Sequence, residues 1–419
     1  MAYWEEWRAM ELGESFGDFT VFGPIGLGSM STVYAGFCPK RRDLVALKVL
    51  RKEVDPGSQR RELFLKEGEI YHRLSHPNVV RFVASGEVKG QPFIALELVR
   101  GRPLASLIHT DEGGVLTVDR AVNVFLDLAR AVEHTHERGV IHRDVKPSNV
   151  IVTQDDTVKL IDYGLAAPKE ELTQPSDVIV GSPAYASPEQ NRGDGVTERA
   201  DLYSLGCVFF EMLTGERPIS GDSLEEILAL QTSDGLPKIS DFKADIPAEI
   251  EQIVSKLLAA DPFARYSSVN EVIRALETIK SKAKRGAQAY EIVFDKVAEA
   301  FEAAKLAYER GDLEGATCLA TFYIGQRPKD PKGHFLMGKL MAEHEKYQEA
   351  RNHFTQAIAM DKFNVDYRID FALHFYKIGK FRHSLEQIDA ARGLKPDDWV
   401  IKGLDKLTFA LLPIRKSSR

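Results

Sequence analysis

At 419 residues the chain is too long for one ordinary hydrophobic core and calls for two or three domains. Hydrophobic residues make up 44% and charged residues 28%, a globular rather than disordered composition; the formal net charge of -7 gives no reason to expect nucleic acid or an anionic membrane as partner. Cys38, Cys207 and Cys318 are widely spaced without metal-ligand pairing, which argues against structural disulfides and fits a reducing compartment. The N-terminus, Met-Ala-Tyr-Trp-Glu-Glu-Trp, lacks the basic and apolar regions of a signal peptide. No run reaches the roughly 18 to 20 apolar residues that span a bilayer. The longest candidate, 202–213, contains Ser204, Gly206 and Glu211 and reads as a buried core helix. A cytoplasmic protein without a membrane segment is expected.

In chain order, residues 1–15 form an extension, either a short helix or a flexible lead. Short β-type runs follow at 19–25, 32–37 and 44–50. The first two flank Gly26-Leu27-Gly28-Ser29-Met30-Ser31-Thr32-Val33. A glycine-rich turn lets backbone N–H groups approach a polyphosphate with no Cβ in the way, although an ordinary hairpin has the same composition. The third run, Val45-Ala46-Leu47-Lys48-Val49-Leu50, carries a lysine among apolar neighbours, readable as a ligand for phosphate or as a solvent-facing edge residue. Residues 58–74 have helical period, with Leu63, Phe64, Ile70, Tyr71 and Leu74 apolar. Glu67 and Glu69 compete on that helix; they lie about 200° apart around its axis, so only one can face a given site. Residues 91–99 form a strand, and 116–138 a long amphipathic helix.

That helix delivers the chain to Val-Ile-His-Arg-Asp-Val-Lys-Pro-Ser-Asn-Val at 140–150, which places the Asp144 carboxylate, the Lys146 ammonium and the Asn149 carboxamide on one loop. A base, a cation for a moving phosphoryl group and a metal ligand are thus grouped within six residues. Apolar runs 150–152 and 158–161 lead to Asp162-Tyr163-Gly164, and a long polar segment ends at Ala186-Ser187-Pro188-Glu189. Helical runs at 222–232, 248–259 and 268–280 follow.

The 140–150 loop resembles the catalytic loop of eukaryotic-type protein kinases, and Lys48, Glu67, Asp144, Asn149 and Asp162 stand in that family's order and spacing. Lys146 resembles the serine/threonine-specific class, and Ser-Pro-Glu-Gln at 187–190 the bacterial branch. The resemblance implies ATP and Mg2+ as cofactors. Asp144 would orient and accept the substrate hydroxyl proton, Lys146 would steady the phosphoryl group, Lys48 with Glu67 would position the phosphates, and Asn149 with Asp162 would hold the metal. Gly26, Gly28, Ser31, Val33, Ala46, Leu96, Glu97, Val99 and Ile151 would line the nucleotide site. Ser31 stands where the family has a third glycine, and Tyr163 where phenylalanine is commoner. Thr173 and Ser176 are the phosphorylatable residues of the activation segment, Arg143 is the type of residue that pairs with such a phosphate, and Ser182 would support the substrate hydroxyl and Asp144. Asp201 resembles the anchor of the catalytic loop's backbone, and Arg265 the partner of Glu189; both read as architectural.

After a basic helical bridge at 281–296, with Lys282, Lys284 and Arg285, the sequence repeats with a period of 34 over 297–330, 331–364 and 365–398. In register stand Ala304, Gly338 and Ala372; Ala316, Ala350 and Ser384; and Leu313, Tyr347 and Phe381. Gly311 and Gly379 occupy the turn within the repeat, Glu345 replaces glycine in the middle copy, and Pro328 and Pro396 end the first and third. The pattern resembles three tetratricopeptide repeats (TPR), with 400–412 as capping helix and 413–419 as tail. Such repeats imply a groove for a peptide or protein ligand, or else a brace for the preceding domain. Phe301, Leu336, Asp366 and Asp370, at the positions where chaperone-tail repeats clamp a carboxylate, do not supply that clamp.

The expected architecture is an α+β bilobal protein kinase fold over 16–280, with lobes 16–96 and 100–280, followed by an all-α TPR helical repeat domain over 297–412. The expected function is phosphoryl transfer from ATP to Ser/Thr hydroxyls of protein substrates. The alternative is a nucleotide-binding pseudokinase scaffold whose repeats recruit partners.

Overall fold

The computed structural model describes residues 10, 12–28, 30–109, 116–172, 181–233, 236–243, 246–286 and 291–411. Ser29, Thr173, Ser176, Leu412 and most of the first eleven residues therefore lie outside the described residues. Compactness divides the chain into two units, Met1–Arg51 with Gly86–Leu98 and Ala287–Arg419, and Lys52–Ser85 with Val99–Gly286.

β1 (Ser15–Phe16), β2 (Phe19–Leu27), β3 (Ser31–Cys38), β4 (Asp43–Leu50) and β6 (Gln91–Glu97) of the first unit, with β5 (Phe82–Val88), whose last three residues belong to that unit, form a sheet in the order β1-β2-β3-β4-β6-β5. β-Branched and aromatic residues drive these runs, and the pairings from β1 to β6 through β4 are antiparallel. The register sets Val33 opposite Lys48, Ala35 opposite Ala46, and Phe37 opposite Leu44; Ala46 in turn faces Leu96. Cross-strand partners point to the same side, and residues two apart along a strand do likewise. One sheet face therefore carries Val33, Lys48, Ala35, Ala46, Phe37 and Leu44. Ser15–Phe16, assigned in part to the N-terminal extension, are a short edge strand, and Gly13 donates its N–H to Val21 O at 2.7 Å.

The helices of this unit are α9 (Glu291–Glu309), α10 (Leu313–Gln326), α11 (Pro331–Glu343), α12 (Tyr347–Met360), α13 (Val365–Lys377), α14 (Phe381–Leu394) and α15 (Trp399–Ala410), eight further helices preceding them in the chain. Pro331, Val365 and Trp399 open successive first helices, and Leu313, Tyr347 and Phe381 successive second helices, each 34 residues after the last (365 − 331 = 34, 381 − 347 = 34). Asp330, Asn364 and Asp398 cap the first helices by accepting backbone N–H groups from Lys332, Tyr367 and Val400. The turns between paired helices put Gly311 at φ 81°, Glu345 at φ 58° and Gly379 at φ 72°. Ala304, Ala316 and Ala350 are fully buried, and a Cβ on Gly338 would stand 3.1 Å from the Phe354 ring, so these small residues allow the close helix approach expected of them. A second apolar cluster joins Phe22, Ala35, Phe37 and Leu44 of the sheet to Val365, Ile369, Ala372 and Leu373 of α13 and Val400, Ile401 and Leu404 of α15.

The second unit starts with α1 (Gln59–Arg73) and continues through α2 (Leu104–Ile108), α3 (Val118–Glu137), α4 (Pro188–Arg192), α5 (Arg199–Thr214), α6 (Leu224–Gln231), α7 (Ala248–Leu257) and α8 (Val269–Gly286). α5 is buried along nearly its whole length, from Ala200 to Leu213, as its composition requires. Phe125 of α3 stacks on Phe209 of α5 at 4.2 Å. Two small sheets complete the unit: β7 (Gly101–Pro103), β9 (Val150–Thr153) and β10 (Val158–Leu160) in one, β8 (Val140–Ile141) and β11 (Ala167–Pro168) in the other. Arg265 makes a bidentate pair with Glu189 at 2.7 and 2.9 Å, both residues buried, and also reaches the carbonyl of Arg199. A planar guanidinium satisfied on several donors is the form in which a buried charge is tolerated. Among the described residues no helix is long and apolar enough to cross a membrane, and all three cysteines are free.

Candidate active site

β8 and β9 bracket the loop at 142–149, and its backbone is fixed from below by one buried carboxylate. Asp201 accepts the N–H groups of His142 and Arg143, both at 2.8 Å, and pairs with His136 Nε2 at 2.7 Å. Burial alone would raise the Asp201 carboxyl, but the His136 hydrogen bond and the neighbouring histidines hold it below its ordinary value, so it stays ionised. Arg143 takes a left-handed backbone conformation, φ 65°, and its carbonyl accepts from Gln190 Nε2 at 3.0 Å. Its guanidinium Nε donates to Leu165 O at 2.6 Å, so the residue expected to read a loop phosphate already reaches the segment that would carry one. The His142 imidazole is fully buried and accepts the Asp144 N–H through Nδ1 at 3.3 Å. Burial lowers its pKa and keeps it neutral, outweighing the carboxylates of Asp201, Asp144 and Asp162.

Asp144 is held through one oxygen. Its Oδ2 lies 2.7 Å from Lys146 Nζ and 3.0 Å from Asn149 Nδ2, while Oδ1 is buried with no hydrogen-bond partner. A buried carboxylate oxygen without a donor is unfavourable unless a donor arrives, and a substrate hydroxyl is such a donor. Lys146 Nζ also donates to Ser182 Oγ at 2.8 Å, which brings the expected Ser182 to the loop. Gly181, at φ 112°, lies against this oxygen: a Cβ there would stand 3.3 Å from Arg143 O and 3.9 Å from Asp144 Oδ1.

The two metal candidates are neighbours through the strand ladder. Asn149 O accepts the Ile161 N–H at 3.0 Å and Leu160 pairs with Val150, which sets Asp162 beside Asn149. Both Asn149 Nδ2 hydrogen bonds go to Asp144, leaving the carboxamide oxygen as the ligand end. An amide oxygen and a carboxylate are hard donors that suit Mg2+, so the residues present fit that ion. Asp162 Oδ1 accepts the Gly164 N–H at 3.2 Å, and Tyr163 is buried between Tyr71 and His142, with its hydroxyl on Thr135 Oγ1 at 2.8 Å. In α1 of the same unit, Glu67 is buried and Glu69 exposed. Ile151 is half-buried in β9, and Val99 opens the unit's next segment.

The other nucleotide candidates belong to the sheet. Gly26 lies near the end of β2 and Gly28 directly after it, and Gly28 donates its N–H to Ser31 O at 2.9 Å. Ser31 is the buried first residue of β3, so the chain turns before the position where a third glycine would stand. Lys48 is half-buried on the face shared with Val33 and Ala46. Leu96 is buried and Glu97 half-buried at the end of β6.

Four supports escape the sequence reading. His136 pairs with the anchoring Asp201, Gln190 reaches the Arg143 carbonyl, His142 accepts the Asp144 N–H within the loop itself, and Tyr71 donates its hydroxyl to Ile161 O at 2.6 Å beside Asp162. Gln190 alone left a signal, as the third residue after the Ser187 cap in a capping box.

Residues 19–277 match the family model for the protein kinase domain. The chain belongs to the protein kinase family. It is 35% identical over 293 residues to a probable serine/threonine-protein kinase PknB of Lactococcus lactis, covering 68% of this chain and 46% of that one. It is 34% identical over 265 residues to the serine/threonine-protein kinase PknD of Mycobacterium tuberculosis, covering 62% and 40%. The chain thus spans less than half the length of these curated relatives. A crystal structure of the Mycobacterium tuberculosis PknI kinase domain superposes with a TM-score of 0.51 at 30% identity, covering 64% of this chain and 99% of that one. The kinase domain of this chain therefore contains both sets of candidate residues.

Proposed function

We propose that the chain is a serine/threonine protein kinase that transfers the γ-phosphoryl group of ATP to Ser or Thr hydroxyls of protein substrates. The observation that carries this reading is Asp144, with one oxygen fixed by Lys146 and Asn149 and the other buried and open to a donor. Asp144 orients the incoming hydroxyl and takes its proton through Oδ1, and Lys146, shared between Asp144 and Ser182, supplies positive charge beside the same oxygen atoms. Asn149 and Asp162 hold Mg2+, which supplies charge neutralisation on the phosphates when bound. Lys48 and Glu67 take the phosphate-positioning role that the family assigns to their motif positions, with Gly26 and Gly28 giving the nucleotide an approach free of side chains. Thr173 and Ser176 are proposed as phosphorylation sites that Arg143 reads. The helices from 291 onward are proposed to be tetratricopeptide repeats, supported by their 34-residue spacing and buried small residues.

The test is incorporation of labelled phosphate from ATP into a generic protein substrate by the wild type and by Asp144→Asn. The substitution keeps the shape and removes the proton acceptor, so turnover should fall by roughly the 10²- to 10⁴-fold contributed by general base catalysis. Equal incorporation by the two proteins would overturn the reading.

A further inference from the structure

The repeats were expected either to bind a peptide or protein or to brace the preceding domain, and residues at the end of α13 meet a segment of this chain. The turn between β3 and β4, Cys38-Pro39-Lys40-Arg41-Arg42-Asp43, projects from the sheet toward the first helices of the repeats. Arg42 donates through its guanidinium to Lys377 O at the end of α13, at 2.7 Å. Phe37 packs edge-on against Tyr376, also of α13, at 5.6 Å. Lys339 of α11 lies over the Tyr308 ring of α9 at 5.2 Å and within 3.9 Å of Asp370 of α13; Asp43 is among the charges that act on Tyr308. Of these helices, α13 contacts the turn directly, while Asp43 acts on Tyr308 of α9 electrostatically.

The dock extends to α15. A Cβ on Gly403 would collide with the Phe22 ring, and a Cβ on Gly23 would stand 2.5 Å from the Trp399 ring, so glycine on each side is what lets helix and strand interlock. The cluster formed this way takes in Ala35, Phe37 and Leu44 of the sheet, and Leu98 packs against it. Ala35 faces Ala46 and lies two residues from Val33, which faces Lys48. Leu98 follows Glu97, and its N–H donates to Leu44 O at 3.4 Å. The helices therefore cover the continuation of the very face that carries Val33, Ala46 and Lys48, and touch Leu98, which lies between the expected nucleotide-site residues Glu97 and Val99.

We infer that α13 and α15, docked on the sheet, position its nucleotide-binding face, so that loosening this dock weakens ATP binding and leaves recognition of the protein substrate unchanged. The inference rests on the kinase reading for the identity of the nucleotide. Phe22, Phe37, Arg42 and Trp399 act through the sheet and are positioning residues. Rigid strands connect them to Lys48 over two residue pairs, and close-packed interfaces transmit displacement rather than absorb it.

The experiment uses the full chain and three variants, Arg42→Ala, Trp399→Ala and Gly403→Leu, with ATP dissociation constants measured by calorimetry and KM values for ATP and for a protein substrate measured separately. The expected result is a rise of roughly fivefold or more in the ATP constants, the lower end of ordinary coupling between sites, with the protein-substrate KM unchanged. Circular dichroism identifies any variant that fails to fold; Gly403→Leu is the most disruptive, and Arg42→Ala at the exposed turn then decides. Folded variants with wild-type ATP affinity, or an equal rise in both KM values, would overturn the inference. Because binding is measured apart from turnover, a wild type that binds ATP yet transfers no phosphoryl group would sink the kinase reading alone, with the comparison of variants still deciding the dock. A wild type that does not bind ATP would overturn both.

Discussion

At Glu345 one residue departs from its two counterparts in chemistry but not in conformation. Gly311 and Gly379 turn the chain between paired helices at φ 81° and 72°, where glycine has no steric penalty, and Glu345 is forced to φ 58° by the same turn. Glu345→Gly should therefore stabilise the protein by up to about 1 kcal/mol, the strain of a side chain in the left-handed region less the greater entropy of glycine in the unfolded chain. Thermal and denaturant unfolding would register it, and a loss of stability would show that the Glu345 side chain contributes more than its backbone strain costs. The sequence exposed this position because a repeat supplies its own comparison. The same scale shows what a motif leaves out. Asp144, Lys146 and Asn149 were legible because they lie within six residues of one another. The buried Asp144 Oδ1 and the Gln190 contact were not, because an atom's burial and a partner 47 residues away leave no spacing to read.

Among elements, helix and strand periods were the most readable level. The 58–74 reading became Gln59–Arg73, and 116–138 became Val118–Glu137, with differences only at the frayed ends. α13 shows what periodicity cannot supply. Its place in the 34-residue repeat was visible, but not that His374 is buried among the rings of Phe354, Phe371 and Phe375, with Nε2 lacking a partner. Burial lowers its pKa from 6.5 to about 4. The folded state therefore holds a neutral imidazole, while the unfolded chain takes up a proton as pH falls through its ordinary value. This contribution is complete above pH 6.5, declines as pH falls, and is lost once pH reaches the folded value of about 4. The wild type should lose about 2–3 kcal/mol by this route across that window. His374→Leu should flatten that part of the profile, and identical pH dependence of unfolding in the two proteins would refute the assignment.

For the whole molecule, the proposed role of Asn149 and Asp162 as metal ligands predicts that transfer depends on a divalent ion. Chelation by EDTA should abolish phosphate incorporation, and added Mg2+ should restore it; incorporation that persists after thorough chelation would show that these residues serve another purpose. The sequence by itself determined the family, the loop chemistry and the 34-residue repeat, since each depends on spacing along the chain, and spacing is what local hydrogen bonding and helix pitch convert directly into structure. Tertiary structure alone decided where the repeat's apolar faces are spent. Apolar burial is non-directional, so Val365, Ile369, Val400 and Leu404 could have packed on a further helix, on another protein or on a sheet formed more than three hundred residues earlier. They pack on Phe22, Ala35, Phe37 and Leu44, and the complementary glycines at positions 23 and 403 admit that contact only once strand and helix have met.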